Sequence, residues 1–165
     1  MNLKMNLDKL VKLSVVGEIH HPTLRKTGYV INNLGKVEVL PSVGGIAYNV
    51  RIGSPAVGLM ADHVEPGVSI LNTGAAAGDY SPNAALNVLA CIGNKAEVVS
   101  GEARGSTGRV TGKHGGIEHV MIDFEPEVLE NLLIGDKILI RSFGVGLKLL
   151  DFYPDILVMN TAPAL

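Results

Sequence analysis

A mainly β (α+β) domain, with short strands in a barrel or sandwich and two to three short helices, is predicted by three features of the sequence. Short runs rich in Val and Ile recur along the chain, Gly, Asn or Pro separates them, and only three stretches carry helical signals. The first stretch places Leu3, Leu7, Leu10 and Val11 on one helical face, which predicts a short amphipathic helix at the start. Strands are then expected at 14–19, 29–31, 36–40, 47–52 and 68–71, with a hairpin turn at Asn33-Leu34-Gly35. In SPNAALNVLACIGN, Ser81 suits an N-cap and Pro82 the first helical position, where its missing N–H has no partner to lose. Ala84, Ala85, Leu86, Val88 and Leu89 make that helix apolar nearly all round, which predicts burial, and Gly93-Asn94 ends it. Further strands are expected at 96–100, 108–111, 119–123, 136–141 and 147–150. A second helix opens at Pro126 with early acids and stops at Gly135.

The 165 residues are 47% apolar and 18% charged, enough for one domain spanning 1–165. Four Tyr, three Phe and no Trp leave core packing to aliphatic side chains. Fourteen Lys and Arg against sixteen Asp and Glu give a net charge of −2, which argues against a global field for nucleic acid or anionic membrane. Mean hydropathy is +0.30, yet no apolar run approaches the roughly 18 residues of a spanning helix. Asp8, Lys9 and Lys12 interrupt the stretch a signal peptide would need, and Cys91 has no partner for an internal disulfide, so a cytoplasmic location is expected.

Candidate chemistry collects in glycine- and proline-bordered loops: His20-His21-Pro22, the 62–67 stretch DHVEPG, and the 113–119 stretch KHGGIEH. If residues 62–67 are extended, His63 and Glu65 share a face, a pairing that suits a general base with its orienting carboxylate, or a ligand pair for a divalent metal. An enzyme site built from Asp62, His63, Glu65 and His114 is the leading expectation. Asn83 and Asn87 would be donors from the helix, and the Gly115-Gly116 backbone would face a developing oxyanion. Hydrolase- or lyase-like work on a small molecule fits such a set. HExxH and CxxC patterns are absent, which makes the metal a secondary expectation. His20, His21 and His119 read more readily as structural or surface residues, GAAAGDYS (74–81) as a plain loop before the helix, and Cys91 as an inert packing residue.

Residues 97–124, EVVSGEARGSTGRVTGKHGGIEHVMIDF, resemble the KOW motif of some ribosomal proteins and transcription elongation factors. That resemblance implies a small-barrel loop, with Arg104, Arg109 and Lys113 near phosphate and Lys95 nearby. No aromatic residue before Phe124 is available for base stacking, which ranks RNA binding last. A third reading, a non-catalytic self-associating assembly subunit, follows from the high apolar and low charged content.

The phrases HHPT, LPSVGGIAYNV, ADHVEPGVSI, SPNAALNVLACIGNKAEVVSG, GKHGGIEHVMIDF and IGDKILIRSFGVGLKLLD together resemble an uncharacterised bacterial and archaeal family, domain of unknown function 4438, over roughly residues 17–163. The resemblance implies a β-rich fold and no settled biochemical role. It also implies members with a further C-terminal region, against which this chain is either a short version or an N-terminal part.

Overall fold

Alternation of buried and exposed positions along the longer strands builds the walls of the fold. In β9 (Lys137–Phe143), Ile138, Ile140 and Ser142 turn inward while Lys137 and Arg141 face solvent, the period of two expected of a sheet with one buried face. The computed structural model describes residues 3–24, 28–39, 43–51, 66–74, 80–114 and 118–165. Within them β1 (Lys12–Ile19), β9, β6 (Lys95–Val98), β7 (Thr107–His114), β8 (His119–Asp123) and β5 (Gly67–Leu71) pair antiparallel in that order. β5 returns to β1 through Glu18 opposite Leu71 and Ile19 opposite Ile70, closing a six-stranded barrel. Gly17 allows close packing at this seam: a Cβ there would lie 2.6 Å from Ile70 Cδ1, which would have to shift.

A barrel this narrow is filled by its own side chains. Ile19, Val68, Ile70, Val98, Val110, Val120, Ile122, Ile138 and Ile140 form the interior, the aliphatic core that an absence of Trp predicts. α1 (Ser81–Leu89) covers the mouth where β5 ends and β8 begins, and inserts Leu86. α2 (Pro126–Leu129) and the turn after it cover the mouth where β1 ends and β9 begins, with Leu129 and Leu132 in the core and Gly135 N–H donating to Ile19 O. β4 (Gly45–Ala47) extends the sheet along β5.

Two ribbons lie outside the barrel. β2 (Tyr29–Ile31) pairs with β3 (Val37–Val39) across a turn held by Asn32 Oδ1, which accepts from the Leu34 and Lys36 N–H groups. β10 (Leu147–Leu149) pairs with β11 (Tyr153–Val158). No helix among the described residues is long and apolar enough to cross a membrane.

The structure departs from the sequence expectations in six places. Ser81 is the first helical residue of α1, with Tyr80 at the N-cap position, and α2 stops at Leu129 instead of running on to Gly135, because the following residues turn Leu132 into the core. Residues 3–11 hold a single 3-10 turn, Leu7–Lys9, instead of an amphipathic helix, because Met5 bridges Leu149 and the Asn6 side chain bonds Gly146 O and Lys148 N. The strand expected at 47–52 is β4, ending at Ala47 where its partner β5 begins at Gly67; Ile52 lies outside the described residues. α1 is not buried all round: it buries Asn83 and Leu86, and Val88 is exposed, since only one face meets the barrel. Finally, β11 was not expected at all.

Candidate functional site

β7 and β8 form a hairpin whose register places His114 opposite His119. A bulge between Val110 and Gly112 resets the phase of β7. Beyond it Lys113 pairs with the core residue Val120 and turns toward the barrel mouth, while His114 and His119 fall on the outer side. His119 is fully buried there because 20–24 and 43–45 cross over it. Its ring lies 5.9 Å from that of His20, and His20 lies 6.4 Å from His21. Gly44 (φ 98°) passes directly over the His119 ring, where a Cβ would sit 2.9 Å from Cε1. Burial lowers the His20 pKa, the neighbouring His119 and His21 lower it further, and Glu18 opposes them. The pocket thus favours neutral imidazole at His20. Among the described residues no group of three or more His, Cys, Asp or Glu could hold a metal ion.

The structure therefore joins two histidine stretches that the sequence separates by about a hundred residues, and it gives weight to His20 and His119, which sequence reasoning set aside. A histidine pair before Pro22 and a histidine opening a strand are the available signals. Asp62, His63, Glu65, Gly115 and Gly116 lie outside the described residues.

Asn83 and Asn87 sit at the same mouth, with amides already engaged. Asn83 Oδ1 accepts from Asn72 N–H at 3.0 Å, and its Nδ2 donates to Glu118 O at 3.2 Å. Asn87 Nδ2 donates to Glu118 O at 2.8 Å and to Asn83 O at 3.0 Å. Glu118 adopts φ 62°, which turns its carbonyl toward the helix. These side chains fix Glu118, just before β8, against α1.

The basic residues of 97–124 do not form one face. Arg104 is exposed on the β6–β7 connection at the opposite mouth, Arg109 is exposed on the wall and donates to Gly93 O at 2.9 Å, and Lys113 is half-buried. Burial lowers the Lys113 pKa, an effect the Cys91 thiol opposes; burial raises that of Cys91.

An apolar opening lies elsewhere. A groove of about 630 Å³ runs between residues 3–5, β10, β11 and the C-terminal turn, lined by Leu3, Met5, Leu147, Leu149, Val158 and Leu165.

Comparison with known proteins adds three findings. No curated protein matches. A solved structure reported as "Crystal structure of TM1086" is 49% identical and superposes with a TM-score of 0.87 over 99% of this chain, which spans 56% of that chain's length. Residues 29–165 match the family model described as "Domain of unknown function (DUF4438), N-terminal", and the chain belongs to that family.

Proposed function

We propose that this domain is a non-catalytic assembly module that associates with a second copy of itself through the β10–β11 ribbon. One observation carries the reading: β11 is exposed along nearly its whole length, and apart from Asp155 its exposed side chains are apolar, namely Tyr153, Pro154, Ile156 and Leu157. A two-stranded ribbon is marginal in water by itself, and among the described residues β11 pairs only with β10. Phe152, Tyr153, Ile156, Leu157, Met159 and Leu165 are each at least 50% exposed. Together they offer on the order of 600 Å² of apolar surface, and the adjoining groove brings this near the roughly 800 Å² per partner of a standard interface. β2, which exposes Tyr29 and Ile31, supplies a second surface of the same kind. Light scattering on the 17.4 kDa chain is expected to give a dimer of about 35 kDa that an Ile156→Glu, Leu157→Glu variant converts to monomer. Wild-type protein that stays monomeric at about 100 μM overturns the proposal.

A second reading, a hydrolase- or lyase-like small-molecule site, is favoured by the placement of His114 beside His119 and of His20 within reach of His119. His63 or His114 would act as base, oriented by Glu65 or Asp62. Turnover lost in His114→Ala with an unchanged melting curve supports it, and turnover unchanged in both His63→Ala and His114→Ala excludes it.

A further inference from the structure

The outer wall of the barrel carries a charge arrangement that neither composition nor local sequence exposes. On the β1–β9 pair, Lys12 stands opposite Phe143 and Ser14 opposite Arg141. On the β6–β7 pair, Lys95 stands opposite Arg109. The two pairs meet at Ala96 opposite Ile140, so Arg141 and Lys95, one step further, are also neighbours. Arg141, Lys95 and Arg109 thus form a row across three adjacent strands at strand spacings of about 4.8 Å, with Lys12 on the fourth strand offset by two residues, and all four are exposed. The acids beside it are Glu97, whose Oε2 lies 3.4 Å from Arg141 Nη2, and Asp123, opposite Arg109 in β8. The row keeps a local positive excess in a chain of net charge −2.

One end of the row opens into a shallow depression of about 470 Å³ lined by Lys12, Leu13, Ser14, Arg141, Ser142 and Phe143. Its floor pairs an aromatic ring with a cation, since Lys12 Nζ lies 5.4 Å from the Phe143 ring centroid.

We infer that this wall binds single-stranded nucleic acid. A base rests in the depression against Phe143, its phosphate meets Lys12 and Arg141, and following phosphates run along Lys95 and Arg109. Cations in file beside one aromatic ring are the parts that sequence-tolerant single-strand binding requires, because every base has a face to stack and every phosphate a charge to meet. A duplex fits poorly: its bases are already stacked and cannot reach a ring set in a sheet wall. The inference does not depend on β10–β11, so a chain that proves monomeric leaves it standing.

The test is fluorescence anisotropy of the whole chain with labelled dodecamers of uridylate and of thymidylate at 50 mM salt. Binding of either is the expected result, and the ratio of the two affinities tells whether RNA or DNA is the source. With four phosphate contacts at a slope near −0.7 each, affinity is expected to fall about 50-fold between 50 and 200 mM salt. A Lys95→Ala, Arg109→Ala, Arg141→Ala variant should bind at least tenfold more weakly and lose about three-quarters of the salt slope. Phe143→Leu, which keeps an apolar side chain under Lys12, should weaken binding about tenfold with the same slope. Circular dichroism melts establish that both variants fold. No binding at 50 mM salt, equal affinity in the triple variant, or a duplex bound as tightly as the single strand overturns the inference.

Discussion

The Asn87 side-chain amide donates to the Glu118 carbonyl at 2.8 Å, and Asn83 reaches the same oxygen at 3.2 Å while accepting from Asn72 N–H. Asn83 is the more buried of the two, so its loss strands a backbone donor at the helix–barrel junction. Asn83→Ala is expected to cost about 2 kcal/mol in urea unfolding, and Asn87→Ala about 1 kcal/mol. Equal, negligible losses would show that water replaces both amides.

Gly44 and His119 form a mutual constraint. Gly44→Ala must keep φ near 98° and place a methyl against the imidazole, at an expected cost of about 1–3 kcal/mol. In a His119→Ala background the same substitution should incur only the backbone part of that cost. A double-mutant cycle reads the difference, and strict additivity would contradict the packing described.

His20 sets a pH dependence with a definite sign. Its folded pKa lies below its ordinary 6.5, so between the two values the unfolded chain binds the proton more readily. Stability is therefore full above about pH 6.5, falls as the pH drops through the folded value, and levels below it. His20→Gln should flatten this part of a urea-midpoint profile measured from pH 7.5 to 5, and an unchanged profile would assign the dependence to other groups.

Cys91 is fully buried and its thiol is pushed up by burial, so thiolate is scarce and inaccessible. A thiol-specific disulfide reagent should label the native chain slowly and the guanidinium-unfolded chain completely. Rapid stoichiometric labelling of native protein would mean that the end of α1 opens.

The β-rich class and both helices were legible because strand alternation, the Ser81-Pro82 start and the Pro126 start are local signals. β11 was not: Pro154 reads as a strand breaker, yet it is tolerated because the strand lies at an edge. The leucines at 3, 7 and 10 match a helical period, but partners about 140 residues away hold that segment extended. At the candidate site the bulge after Val110 is invisible in sequence. Without it Lys113 would face outward beside Arg109, as simple alternation implies. The meeting of His20 with His119 depends on barrel closure, which no local pattern encodes.

Barrel closure also dictates an order of events during synthesis. β1 is made well before its ladder partner β9, with Lys12 opposite Phe143. At about 5–20 residues per second the ribosome needs roughly 7 to 26 s to travel between those two residues. Throughout that interval β1 has no β9 to pair with. The nascent chain reaches its folded barrel only after β9 clears the exit tunnel, and until then Leu13, Val15 and Ile19 are open to whatever holds unfinished chains apart.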